Sequence, residues 1–95
     1  MKVSFHPAAR RELFKYQRWY LDRSESAAAG FEHEIDHAVS RISEAPLRYP
    51  VTFRNRRRFV LIKYPFDLIY RILEAEVEII AVAHHSRRPR YWSKR

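Results

Sequence analysis

The sequence predicts an α+β fold in which one strand and two helices precede three further strands. Three observations predict it. Apolar residues recur at helical spacing from Pro7 to about Ala45, the period changes after Pro50, and the segments beyond that point are too short for separate helices. With 95 residues, 46% of them apolar, the chain can build one small core and not two. Residues 1–95 are therefore expected to form a single domain, ending in a basic, aromatic tail at residues 84–95.

The first element is a short strand, because Val3 and Phe5 alternate on one face of residues 2–6. Pro7 follows, at a position where a helix starts without the loss of a hydrogen bond. From Pro7 to about Asp22, Ala9, Leu13, Tyr16 and Tyr20 fall on one helical stripe, with Arg10, Arg11 and Arg18 mostly off it. Asp22 to Ser26 is polar, and Ser24 or Ser26 can cap a second helix. Ala28, Phe31, Ile35, Ala38 or Val39, and Ile42 keep the helical period almost to Ala45, where Pro46 forbids continuation. Gly30 weakens that helix by roughly 1 kcal/mol relative to Ala, which predicts close packing against the first helix there. The two helices form an antiparallel hairpin.

Beyond Pro50, three strands are expected between about residues 58 and 83, preceded by a short one at Val51 to Arg54. NRRR, Tyr64-Pro65-Phe66 and Glu74-Ala75-Glu76 divide them. The short connections imply antiparallel neighbours. The apolar runs Phe59 to Ile62 and Ile79 to Ala83 predict central strands covered on both faces. The helical hairpin can cover one face. The other requires a partner, or the aromatic tail folded back.

Composition narrows the function classes. There is no cysteine, which removes disulfides and thiolate metal sites and makes a reduced, cytoplasmic setting the expectation. The longest apolar run falls far short of the roughly 20 residues of a membrane span, so no membrane partner is expected. Lys and Arg number 19 against 11 acidic residues, a net +8 that points to acidic partners such as nucleic acid, a ribonucleoprotein or an acidic protein segment. Gly30 is the only glycine, so no Gly-rich phosphate loop exists.

Two basic segments stand out. Arg54, Arg56, Arg57 and Arg58 fall at a strand entrance, and Arg87, Arg88, Arg90, Lys94 and Arg95 fall in the tail with Tyr91 and Trp92 interleaved. In an antiparallel meander both can lie along one edge. His84 and His85 are neighbours on a strand and point to opposite faces, so they cannot easily share a metal; no metal and no cofactor is expected. A cluster of His, Arg and Tyr is what metal-free RNA cleavage needs, and ordinary strand-end histidines are the alternative. The acidic residues belong to the helices and to one hairpin, and none is expected beside the basic tail, which disfavours a carboxylate-bound two-metal nuclease.

The order of these strings resembles the RelE/ParE superfamily of toxins from bacterial type II toxin-antitoxin modules. The residues concerned are Pro7-Ala8-Ala9, Glu12-Leu13, Trp19-Tyr20, Phe31 and Ile35, Pro46, Tyr64-Pro65-Phe66 with Leu68-Ile69-Tyr70, and Val82-Ala83-His84 running into Arg87-Arg88-Pro89 and Tyr91-Trp92. The resemblance implies a β-α-α-β-β-β fold with a helical hairpin on an antiparallel sheet. It also implies growth inhibition, a role in plasmid stabilisation, and neutralisation by a cognate antitoxin. RelE-like members cut messenger RNA on the ribosome, and Arg87 and Tyr91 match that branch's C-terminal Arg and Tyr, with His84 as a further proton carrier. Its strand lysines and arginine are not matched: Phe59-Val60-Leu61-Ile62 and Asp67 stand there, and an acid repels phosphate. ParE-like members inhibit DNA gyrase and lack that set, and the chain is closer to them. The expected function is gyrase inhibition; the alternatives are a ribosome-dependent endoribonuclease and a basic nucleic-acid or ribosome-binding module. The expected target-binding residues are Arg56, Arg57, Arg58, Arg87, Arg88, Tyr91 and Trp92; the catalytic set, if RNA is cut, is Arg87, Tyr91 and His84.

Overall fold

The computed structural model describes residues 1–95. Its elements are β1 (Lys2–Phe5), α1 (Pro7–Leu21), α2 (Glu25–Glu44), β2 (Val51–Phe53), β3 (Arg56–Val60), β4 (Phe66–Ile72) and β5 (Glu76–His84). The expected order is found. All five strands form one sheet in the order β1-β5-β4-β3-β2. Neighbours are antiparallel except β1, which runs parallel to β5 with Phe5 opposite Ile79. The helical hairpin carries the chain from β1 to the far edge, and the meander β2 to β5 brings it back.

Both helix starts are capped by side chains. His6 Nδ1 accepts from the Ala8 N–H at 3.0 Å, and Ser24 Oγ accepts from the Ala27 N–H at 3.1 Å. The inner stripe of α2, Phe31, Ile35, Ala38 and Ile42, joins Ala9 of α1 against Leu68, Tyr70, Val77, Ile79 and Val82 of the sheet. The nearest approach to Gly30 does not come from the first helix. It faces the Tyr64 hydroxyl, which a Cβ would strike. That hydroxyl donates to the Ala27 carbonyl at 2.8 Å, so the glycine makes room for a pin between α2 and the β3–β4 turn.

A bulge keeps β5 in phase with the core. Ile69 pairs with Ala81 and Tyr70 with Ile79, leaving Ile80 as an extra residue. Val77 and Ile79 thus share the helix side with Val82, while Ile80, Ala81 and Ala83 turn to the other face. The expectation of a central, doubly covered β3 is corrected. It lies next to the edge strand, and Val60 is 54% exposed and Ile62 88% exposed. The central positions belong to β4 and β5, whose side chains fill both faces.

The second face is covered from within the chain. Residues 85–94 fold back as successive turns, with Tyr91 N–H bonded to the Arg88 carbonyl and Ser93 N–H to the Arg90 carbonyl. Trp92, only 4% exposed, packs with Ile69, Ile80, Ala81 and Ala83, flanked by Phe53 and Tyr91. A tryptophan of this burial contributes several kcal/mol, so the tail is part of the fold.

Candidate functional site

The folded tail and the sheet enclose a groove of about 440 Å³ on the face away from the helices, lined by Arg58, Val60, Asp67, His85, Arg87, Arg88, Arg90 and Tyr91 among others. Strand alternation decides which basic residues reach it. Arg58, with Val60, faces the groove. Arg57, one residue earlier, points to the helix side, where its guanidinium donates to the Leu47 carbonyl at 3.2 Å and the Tyr49 carbonyl at 2.7 Å. It closes the PLRYP segment rather than facing solvent. Arg56 lies beside the tail, its guanidinium donating to the Arg95 carbonyl oxygen at 2.8 Å. The two basic segments, far apart in sequence, therefore meet.

The loop after β5 supplies the other wall. The Arg87 guanidinium lies 3.8 Å from the centre of the Tyr91 ring, and Arg90, in the left-handed region at φ 59°, lies over Phe53 at 4.8 Å. The aromatic faces seat these cations while leaving nitrogens able to bond an incoming acceptor. Arg88 is exposed on the loop between them.

The histidines separate as alternation requires. His84 turns to the helix side, stacked on Tyr16 with centroids 6.0 Å apart and edge-on to Phe66 at 5.0 Å, and its Nδ1 accepts from the Ser86 N–H at 3.0 Å. His85 enters the groove. Its Nε2 lies 2.9 Å from Asp67 Oδ1, while Arg58 approaches the other oxygen at 3.8 Å. No three His, Asp or Glu side chains converge as metal ligands.

The expectation that no acid sits beside the basic tail is corrected twice, by Asp67 and by Glu12. Glu12 is only 8% exposed, on α1, and accepts from the Tyr91 hydroxyl at 2.7 Å and from Arg95 at 2.8 and 3.0 Å. Burial pushes the Tyr91 phenol far above its ordinary range, helped by the hydrogen bond to Glu12 and that carboxylate's charge, with Arg95 and Arg87 pulling weakly the other way. Arg95's own hydrogen bonds to Glu12 raise its guanidinium above the ordinary value, with burial opposing. Glu12 was legible in principle: it sits three residues after Ala9 and four before Tyr16, on the dry stripe, where a carboxylate needs partners.

Over residues 3–89 the chain matches the family described as ParE toxin of type II toxin-antitoxin system, parDE. The chain belongs to the ParE toxin family. It is thus a toxin of the type II toxin-antitoxin class. Among solved structures, one from the chromosomal ParDE toxin-antitoxin system of P. aeruginosa superposes with a TM-score of 0.76 at 18% identity, covering 88% of this chain and 95% of that one. At that identity the likeness concerns the fold, which the ParE-like topology shares. No curated protein sequence matches. No helix is long and apolar enough to cross a membrane.

Proposed function

We propose that this ParE-family toxin arrests growth in the cytoplasm by inhibiting DNA gyrase, and that a cognate antitoxin neutralises it. Arg58, Arg87, Arg88 and Tyr91 form the target surface, with Arg56 and Trp92 building its floor. The observation that carries the choice of target is Asp67 in the groove. It places a negative charge where RNA chemistry needs a cation for the phosphorane, and it engages the His85 ring. Two members of the expected catalytic set, His84 and Tyr91, are engaged as well. The His84 ring is packed between Tyr16 and Phe66, and the Tyr91 hydroxyl is bonded to Glu12 with its proton held tightly. A phenol held in this way binds and positions rather than moving protons at neutral pH.

Ribosome-dependent RNA cleavage keeps one observation in its favour. His85, oriented by Asp67, is a proton carrier beside Arg58 and Arg87. The two targets separate in paired assays of the purified protein, gyrase supercoiling and messenger RNA integrity on programmed ribosomes. Gyrase inhibition predicts lost supercoiling and intact RNA; RNA cut only on ribosomes transfers the groove to the second activity and His85 to its catalytic set.

A further inference from the structure

Glu12 lines no part of the groove, yet it fixes one of the groove's walls. The partnership of β5 with β1 ends at Ile79, and beyond it the outer edge of β5 has no strand beside it. Side chains stand in for the missing strand. Glu12 Oε1 accepts from the Val82 N–H at 3.0 Å, Arg95 donates to the Ile80 carbonyl at 3.0 Å, and the Tyr91 hydroxyl lies 3.4 Å from the Val82 carbonyl. The Glu12 carboxylate also takes the Tyr91 hydroxyl and both terminal nitrogens of Arg95. One buried acid on α1 thus binds the strand edge and both ends of segment 91–95, from a helix packed on the opposite side of the sheet.

We propose that Glu12 is the positioning residue of the target surface: it holds the turn at 91–95 against β5 and so sets the conformation of the loop bearing Arg87, Arg88 and Arg90. The inference rests on that loop being the target surface. The loop has two anchors. At its start, His85 N–H donates to the Pro65 carbonyl at 2.8 Å and the His85 ring meets Asp67. At its end, Tyr91 is held by Glu12. Arg87 rides on the Tyr91 ring, so a ring that swings carries the guanidinium with it. A buried carboxylate is suited to this task because its donors, once gathered, have no solvent to turn to.

Glu12→Gln tests the proposal. The amide keeps the shape but offers one oxygen to donors that converge from three sides, so its NH2 faces another donor. Trypsin cleavage after Arg87 and Arg90 is expected to speed up roughly tenfold or more, while amide exchange in β4 and β5 stays slow. Gyrase inhibition per folded molecule is expected to fall with it. A folded Glu12→Gln protein with a wild-type cleavage rate, or with wild-type inhibition despite a loosened tail, overturns the proposal. Should Glu12→Gln fail to fold, Tyr91→Phe decides: it removes one hydrogen bond and keeps the ring under Arg87, and wild-type protection and inhibition in that variant overturn the proposal equally. The double variant Arg87→Ala/Arg88→Ala separates this from failure of the underlying reading. Inhibition retained there defeats the target surface, while the proteolysis still decides whether Glu12 holds the tail.

Discussion

Arginines of the two basic segments do different work, and their hydrogen-bond partners tell them apart. Arg57 satisfies two carbonyls of the turn after α2, whereas Arg88 stands exposed in the loop. Arg57→Ala should therefore cost about 1–2 kcal/mol in urea unfolding. Arg88→Ala should stay within about 0.5 kcal/mol of wild type and still weaken growth inhibition. Gly30 gives a second test at this scale. In an exposed helix, Ala would stabilise by about 1 kcal/mol, but here its Cβ strikes the Tyr64 hydroxyl, whose ring is wedged among Tyr20 and Phe31. Gly30→Ala should destabilise the protein by about 1–3 kcal/mol, read as a lower urea midpoint. The sequence signals the need for a small residue at Gly30 but not what approaches it, because Tyr64 arrives from a turn 34 positions later.

At the scale of elements, the tail behaves as an eighth packing unit beside two helices and five strands. Trp92→Ala empties the second core cluster and should cost about 3–5 kcal/mol, enough to halve or abolish the stability of so small a domain. Two buried phenols tie their elements to high pH in the same sense. Tyr70 donates to the Pro46 carbonyl at 2.6 Å, and burial pushes its phenol up to about 12, with Arg57 partly opposing. Its folded pKa lies above the unfolded value of 10.0, so the stability it contributes is complete below about pH 10 and is lost as pH rises towards 12. Tyr91 shifts in the same direction. Loss of the helix signal should therefore coincide with the last rise in tyrosinate absorbance; complete tyrosinate absorbance with the helix signal intact would contradict this. Helix order, the Ser24 cap and the strand period could be read from the sequence because they are set by neighbours within a few residues. The parallel seat of β1 could not, nor could the bulge at Ile80, since both depend on pairings formed across more than 70 residues or within the sheet itself.

For the whole molecule, the surplus of eight positive charges gathers two distant basic segments on one face of the sheet, leaving Asp67 and Glu12 as the acids that orient them. The basic segments were legible as composition, and the alternation of His84 and His85 as geometry. The groove itself was not, because the tail had first to fold back over Trp92 and be fastened by Glu12. Association with the target should weaken with added salt, as steering by an exposed cationic face requires. Supercoiling by purified gyrase is the measurement that decides the function. With the folded toxin present, relaxed DNA should stay relaxed while messenger RNA on programmed ribosomes remains whole; unimpaired supercoiling, with RNA cut only on ribosomes, would contradict gyrase as the target.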